Sequence, residues 1–286
     1  SGFGWNTLGS ALHENLAFIQ VAEYTGVGGL SALVVMTNLI AVITVRRFAS
    51  EIHVRRIRPH WDFSVTMALI ALVFLFGVRT LFRAEPEGMT PLRVAAVQPN
   101  IPQFQKFDPA FEEQINQRLT LLTEAALAWG PQLLVWPEAA TPRTLFADQQ
   151  SFAFVRDFAE RSHVPFLLGS LDSDAEGHLY NIAALLTHGG KAVQIYRKMH
   201  LVPFGEYIPF RHSFPLFAWI VGGLVPSDFA AGQGPVILEM DAPSLRAGAL
   251  ICFEDTLGEL TRRFVQRGAQ LLVNVPNDGW FLESPA

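Results

Sequence analysis

Two long runs of apolar residues dominate the first third of the chain. Residues 26–45 contain no formally charged side chain, and residues 63–82 contain only Arg79, near the end of the run. At about 1.5 Å per helical residue, a run of about twenty residues crosses a hydrocarbon core of about 30 Å. Neither run has the polar face that a water-exposed helix carries. The pattern predicts two transmembrane helices in a membrane region, residues 1–84; the alternative is two buried helices of a large soluble core.

A basic segment separates the two runs. Its five arginines stand against a single acid, Glu51; they are Arg46, Arg47, Arg55, Arg56 and Arg58. The excess of positive charge in short cytoplasmic loops predicts that this segment is cytoplasmic, so that everything after residue 82 is extracytoplasmic. Residues 1–25 mix aromatic and polar positions, which is typical of an interfacial segment on the same outer side.

Residues 83–88 form a linker rich in proline, glycine and charged residues, and after it the spacing of apolar residues along the chain changes. Short apolar runs predict strands, and spacings of three, four and seven residues predict helices at 109–129 and 256–267. The predicted strands are 92–98, 132–136, 165–170, 182–187, 192–196, 235–240, 247–252 and 270–275. Strands that alternate with helices and then follow one another are typical of a layered α/β fold. We expect a catalytic domain over residues 91–286.

Composition narrows the class of protein. Half of the residues are hydrophobic and only 16% are charged, whereas soluble domains carry about 25%, so a membrane protein is favoured. The net charge of −5 is small and dispersed, which speaks against a nucleic-acid partner. The single cysteine, Cys252, excludes an intrachain disulfide and a cysteine zinc cluster. The histidines lack ligand spacing, so no metal and no cofactor are expected.

Three segments place reactive side chains at the ends of predicted strands, where α/β folds carry their active groups. Glu138 follows one strand and a proline; Lys198 follows another, with Glu206 eight residues later. Cys252 ends a strand and precedes a predicted helix, as in a nucleophile elbow. A helix N-terminus and a nearby lysine predict a lowered thiol pKa. Taken singly, each has an ordinary alternative: a surface carboxylate, a solvated lysine or a buried cysteine.

Together, Glu138, Lys198 and Cys252 resemble, in their chain order, the triad of the nitrilase or carbon–nitrogen hydrolase superfamily. The surrounding sequences WPEAATP, RKMHLVPFGEYIP, ICFED, NVPNDGWF and VQPNIPQFQKFDP are similar to those of the apolipoprotein N-acyltransferase family, as is the N-terminal GFGWNTLGSA with the two apolar runs. The resemblance covers essentially the whole chain. It implies a nitrilase-like αββα sandwich after two transmembrane helices. It also implies truncation at both ends, because the family has earlier spans and continues beyond the C-terminus.

The resemblance also implies roles for individual residues. Cys252 would be the nucleophile, Glu138 the general base and Lys198 the electrostatic support for the oxyanion. Glu206 would be an additional catalytic-site acid that holds the site together or assists Glu138, and Glu254 a supporting acid. The chain departs from the family pattern at Phe253, where Tyr is common, and at Phe107, where Trp is common, so any role of a hydroxyl or of an altered aromatic contact there stays open. His200 is interpreted as a packed neighbour. The aromatic segment 204–219 is interpreted as a lid or membrane-facing arm, with core packing as the alternative.

The implied function is N-acylation in the bacterial inner membrane, with the catalytic domain on the periplasmic side. A fatty acyl group would move from a phospholipid, through a Cys252 thioester, to the N-terminal amine of a diacylglyceryl-cysteine on a lipoprotein. Two alternatives remain. One is a membrane-attached amidase or nitrile hydrolase acting on a small substrate. The other is a truncated fragment or scaffold without activity.

Overall fold

The computed structural model describes residues 7–54, 60–83, 91–187, 189–209, 228–277 and 279. The chain divides into two compact units, Ser1–Thr90 and Pro91–Ala286. Arg55, Arg56 and Arg58 of the basic segment lie outside the described residues, as does most of the aromatic segment 204–219.

The first unit is built from helices. A short helix α1, Leu16–Ile19, precedes two long ones, α2 (Ala22–Val54) and α3 (Trp61–Leu81). The apolar stretches Ala22–Glu51 and Trp61–Leu81 both have a mean hydropathy of 2.0, and only 6% and 17% of their most apolar windows are buried within the protein. A core helix of a soluble protein would be mostly buried. The two predicted apolar helices are therefore present, with the length and exposed apolar surface of membrane spans.

Close backbone packing and one ion pair join these helices. A Cβ atom added to Gly77 of α3 would lie 1.7 Å from the carbonyl oxygen of Ala17, so α1 and α3 approach where only glycine fits. Near the other end of α3, Arg47 of α2 pairs with Asp62 at 2.7 Å. Arg47 and Asp62 thus form an ion pair near the connection between α2 and α3.

The second unit contains two β-sheets. The first sheet has the strand order β1 (Val94–Ala96), β2 (Leu133–Trp136), β3 (Phe166–Ser173), β4 (Leu179–Thr187) and β5 (Ala192–Arg197). Strands β1, β2 and β3 are parallel, whereas β4 is antiparallel to both β3 and β5. The second sheet has β6 (Ile237–Asp241) antiparallel to β7 (Ser244–Ile251), and β7 parallel to β8 (Leu271–Val275). All eight predicted strands are present, with shifted ends.

Among the described residues of this unit, three helices cover the sheets: α4 (Glu112–Leu127), α5 (Gln149–Ser162) and α6 (Gly258–Gln266). Helices α4 and α6 lie within the predicted helical segments. Helix α5 was not predicted, although Asp148 caps it through the backbone N–H of Ser151 at 2.8 Å and Val155 and Phe158 provide a buried face. The missed signal was this combination of an N-cap and an apolar stripe.

Alternate residues of the first sheet face two different hydrophobic cores. Leu134, Trp136 and Phe166 pack with residues of α4 and α5, whereas Leu133 and Val135 pack with residues of the second sheet. Successive strand residues point to opposite faces, so the first sheet lies between helices and the second sheet. Gly248 of β7 points away from the first sheet, and a Cβ atom there would be 2.8 Å from the Phe264 ring of α6. The layers are therefore helix, sheet, sheet and helix, the predicted αββα sandwich.

Strand direction determines which residues can meet. Because β5 is antiparallel to β4, and β4 to β3, strand β5 runs in the same direction as β2. The residues after β2 and β5 therefore emerge at one edge of the first sheet, where β4 begins.

Candidate active site

A buried cluster of two carboxylates, a lysine and an amide lies at this edge. Lys198 Nζ donates to Glu206 Oε1 at 2.9 Å and to Glu138 Oε1 at 3.2 Å. Asn181 Nδ2, near the start of β4, donates to the same two oxygens at 2.8 and 2.6 Å. All four residues are buried, with Lys198 only 1% exposed. The structure thus brings together three of the residues predicted from the sequence and adds Asn181.

The cluster fixes one oxygen of Glu138 and leaves the other unengaged. Both donors reach Oε1, and Oε2 accepts no hydrogen bond from the described part of the chain. Gly169 of β3 supports the backbone here, because a Cβ atom at that position would be 2.5 Å from Glu138 Cα. A carboxylate held through one oxygen presents the other for proton transfer.

Opposite charges keep Lys198 protonated. Burial alone would lower the pKa of Lys198, but the Glu138 and Glu206 carboxylates outweigh it and hold the pKa above the usual lysine value. The lysine is therefore a fixed cation, which is what stabilisation of a developing oxyanion requires.

Glu206 is held by its own turn. Its Oε2 accepts from the backbone N–H of Val202 at 2.8 Å, and its backbone N–H donates to the Val202 carbonyl at 2.8 Å. This local ring places the carboxylate against Lys198.

Cys252 occupies a strained turn directly after β7. Its φ of 56° lies in the left-handed region, which a non-glycine residue adopts only when the surrounding structure enforces it. The Glu138 carboxylate, the Lys198 ammonium and the backbone N–H groups of Asn277 and Phe253 all act on the pKa of this thiol. The thiol therefore belongs to the same site as the carboxylate–lysine cluster.

The predicted lowering of the Cys252 pKa was wrong. Burial and the negative charge of Glu138 raise it to about 11, although Lys198 and the backbone N–H groups act in the opposite direction. Only a 3₁₀ turn, Cys252–Thr256, follows the cysteine, so no long helix begins there. The resting thiol is protonated at neutral pH, and a base is needed to form the thiolate.

Glu254 stabilises the turn that carries Cys252. It is fully buried and accepts hydrogen bonds from the backbone N–H groups of Met199, His200 and Ile251 and from the Tyr196 hydroxyl, at 2.8–3.0 Å. Burial nevertheless raises the pKa of Glu254 above its usual value. This carboxylate ties the residues after Lys198 to the end of β7, so that the lysine and the cysteine turn are held together.

Comparison with known proteins identifies the family to which the chain belongs. The family model described as Carbon-nitrogen hydrolase matches residues 93–286. The chain belongs to the carbon–nitrogen hydrolase family. The predicted nitrilase-like fold is thereby confirmed.

A second family model, the Apolipoprotein N-acyltransferase N-terminal domain, matches residues 1–40. The apolipoprotein N-acyltransferase of Geobacter metallireducens is 37% identical over an alignment of 293 positions, which covers 100% of this chain and 54% of that protein. The enzyme of the same name from Chlorobaculum tepidum is 30% identical over 97% of this chain and 56% of its own length. The chain thus spans about half the length of the curated relatives that it matches. The predicted resemblance to this group is confirmed.

Lys106 is a further residue of this carbon–nitrogen hydrolase site, and it was not predicted from the sequence. It lies in the turn after β1, is 4% exposed, and donates from Nζ to the backbone carbonyl of Glu138 at 2.7 Å. Burial lowers the pKa of Lys106 to about 8, against the opposing effects of Glu138 and Cys252. A lysine next to two exposed phenylalanines, Phe104 and Phe107, gives no sequence signal that it is buried.

The structure describes the surroundings of the residues that depart from the family pattern. The Phe253 ring lies 5.5 Å from Lys198 Nζ, so an aromatic face rather than a hydroxyl meets the lysine in this carbon–nitrogen hydrolase. Phe107 is 48% exposed. His200 Nδ1 lies 3.8 Å from Glu254, with its side chain 43% exposed, which places it beside the supporting carboxylate.

One group of potential metal ligands lies elsewhere in the described residues. Asp174, Glu176 and His178, between β3 and β4, have ligand atoms within 4.8 Å of one another, although the sequence suggested that the histidines are scattered. Asp174 already accepts from His178 and from the Tyr180 hydroxyl, both at 3.0 Å. These hydrogen bonds account for the grouping without a ligand.

Proposed function

We propose that this protein is an N-acyltransferase that uses Cys252 as its nucleophile, Glu138 as general base and Lys198 as electrostatic support. The acyl donor is a phospholipid, and the acceptor is the N-terminal amine of a diacylglyceryl-cysteine on a lipoprotein. The observation that carries the proposal is the buried site of Glu138, Lys198, Glu206 and Cys252 in a chain that is similar over its whole length to proteins named apolipoprotein N-acyltransferase.

The membrane helices favour lipid substrates over small polar ones. Two apolar helices attach the catalytic unit to a bilayer, so both proposed substrates are available at its surface. We place the protein in the bacterial inner membrane with residues 91–286 on the periplasmic side. The arginine-rich connection between α2 and α3, with Arg47 paired to Asp62, supports this orientation.

In the first step, the Cys252 thiol gives its proton to Glu138 Oε2 as the sulfur attacks the ester carbonyl of the phospholipid. Because burial holds the thiol pKa at about 11, deprotonation must accompany attack. The charge that develops on the carbonyl oxygen is stabilised by the fixed Lys198 cation. The C–O bond then breaks, the leaving alkoxide takes the proton from Glu138, and a thioester remains.

In the second step, the neutral amine attacks the thioester carbonyl. Glu138 accepts a proton from the nitrogen, the C–S bond breaks, and the proton passes to the leaving sulfur. An amide and the starting thiol result. Lys198 and Asn181 donate to Glu138 Oε1 and keep it engaged throughout, so Oε2 carries the proton in both steps. Glu206 accepts from the same two donors and holds them in place.

Thioester formation tests the proposal directly. The protein in detergent, incubated with phospholipid alone, should gain the mass of one fatty acyl group on Cys252, and hydroxylamine should remove it. A diacylated peptide with a free amino terminus should discharge it. Glu138→Gln should slow loading by about 10²–10⁴-fold, because the thiol loses its base.

Cys252→Ala is the matched control and should remain unloaded. The family match also favours a second candidate, hydrolysis of a small amide by the same triad. Hydrolysis of such an amide without any acylation by phospholipid would establish that candidate and contradict the acyltransferase. Neither activity in a folded protein with an accessible thiol would remove the catalytic proposal altogether.

A further inference from the structure

Two of the three lysines of this chain are buried in the same site. The lysines are Lys106, Lys191 and Lys198; Lys191 is exposed, whereas Lys106 and Lys198 are 4% and 1% exposed. Buried lysines are rare unless they are paired or have a function. Lys198 is paired with two carboxylates, and Lys106 is not.

Lys106 makes one hydrogen bond and has further N–H groups to offer. Its only hydrogen-bond partner among the described residues is the Glu138 carbonyl oxygen. An ammonium group carries three donors, so two remain. A buried donor without a partner is costly, which makes it an indication that another group binds there.

The turn that carries Lys106 is tied to the cysteine. Asn277 Nδ2 donates to Gln103 Oε1 in this turn at 2.9 Å, and Asn277 follows β8, whose last residue, Val275, is paired with Ile251 directly before Cys252. Lys106 also interacts electrostatically with Cys252 and Glu138. The ammonium is thus held beside both partners of the proton transfer.

The charges of the site show why a second cation matters. Lys198 faces Glu138 and Glu206, so these three groups together carry one negative charge. A thiolate or an oxyanion that forms while both carboxylates are ionised would meet net repulsion. The Lys106 ammonium makes the four groups neutral.

We propose that Lys106 is the second cation of this site, a positioning residue that stabilises negative charge on the Cys252 sulfur and on the acyl oxygen bonded to the same carbon. It keeps its proton throughout. In the amine step, its positive charge also favours the neutral form of the attacking amine over the ammonium form. This inference rests on the proposed role of Cys252 as nucleophile.

The pH dependence of thiol alkylation tests the charge separately from acyl transfer. Lys106→Gln removes the cation and can still donate to the Glu138 carbonyl, Lys106→Arg keeps the cation, and Lys191→Met is the matched control. At pH 6–7, iodoacetamide should alkylate Cys252 about tenfold or more slowly in Lys106→Gln, because an opposite charge nearby shifts a pKa by about 1–3 units. Lys106→Arg and Lys191→Met should stay near the wild type.

The dependence of the Cys252 alkylation rate on pH distinguishes an electrostatic role of Lys106 from a purely structural one. The titratable groups that act on Lys106 are Glu138 and Cys252, and burial lowers the pKa of Lys106 to about 8. The wild-type alkylation rate should therefore rise less steeply through pH 8 as the ammonium is lost, whereas Lys106→Gln should show no such break. An unchanged profile in a folded Lys106→Gln would overturn the proposal, even if its melting temperature falls.

A second measurement needs no change at Lys106. Cys252→Asp places a fixed anion at the nucleophile position, and Cys252→Ala is its neutral counterpart. Trace acetylation at pH 8–9, followed by mass spectrometry, should label Lys106 at least several-fold less in Cys252→Asp, because the anion favours the ammonium; Lys191 serves as internal control. Equal labelling of Lys106 in the two variants would refute the proposal. Neither experiment uses phospholipid, so failure of acylation and failure of this inference are distinguishable.

Discussion

Replacing Lys198 by methionine tests the electrostatic account of the buried cluster. The change leaves Glu138 and Glu206 buried with Asn181 as their shared donor. Removing one partner of a buried ion pair costs about 3–5 kcal/mol in unfolding free energy, because an uncompensated charge remains. For a domain of this size, about 2–4 °C per kcal/mol corresponds to a fall in melting temperature of about 6–20 °C.

The sign of the pH effect follows from the groups that remain. Without Lys198, the two buried negative charges of Glu138 and Glu206 repel each other, and this repulsion weakens as the pH falls. The deficit of Lys198→Met should therefore be smaller at pH 5 than at pH 8. The pKa of Lys198 itself is raised above the usual value, so its stabilisation in the wild type is fully present below about pH 10 and is lost only as pH rises through the folded pKa.

Melting curves in detergent micelles, followed by tryptophan fluorescence, provide the measurement. Lys191→Met is the control and should melt as the wild type does, because Lys191 is exposed. Lys198→Met/Glu206→Gln removes one of the two uncompensated charges and should recover part of the lost stability. An unchanged melting temperature in Lys198→Met, or a double variant less stable than the single one, would refute this account of the cluster.

Two further predictions concern the support of Glu138 and the membrane orientation. Gly169→Ala should lower the unfolding free energy by about 1–3 kcal/mol, since its Cβ would be 2.5 Å from Glu138 Cα. It should also slow thioester formation. Gly258→Ala is the control and should do neither, because no atom lies within 4 Å of the added Cβ. In a Cys252→Ala background, a membrane-impermeant maleimide applied to intact cells should label Glu176→Cys but not Ser50→Cys, and labelling at position 50 would contradict the proposed orientation.

The sequence was informative where local pattern and strand ends determine the outcome. Apolar runs predicted all eight strands, and residues directly after strands predicted Glu138 and Lys198 as site residues. Both lie in the observed cluster, because parallel strand ends share one edge of the sheet. Helix α5 was missed because its apolar stripe is short and interrupted by charges, although Asp148 caps it.

Contacts between distant parts of the chain were not predictable in the same way. Asn181 lies within a strand and Lys106 in a turn, and neither position marks a site until the strands of the first sheet are paired. The direction of the Cys252 pKa shift was wrong for a related reason. A helix N-terminus and a lysine were visible in the sequence, whereas the extent of burial and the nearness of Glu138 depend on the tertiary structure. Burial had the largest effect on the pKa of the thiol.

The raised thiol pKa has a consequence for the proposed two-step reaction. A thiol with a pKa of about 11 has a thiolate that is a poorer leaving group than an ordinary cysteine thiolate. Loss of the sulfur from the tetrahedral intermediate of the second step therefore depends on the proton that Glu138 returns to it. A water molecule that enters the site must also give its proton to Glu138 before the thioester can break, and access to Glu138 is limited because the residue is only 6% exposed. The burial that makes Cys252 unreactive at rest thus also protects its thioester until the amine arrives.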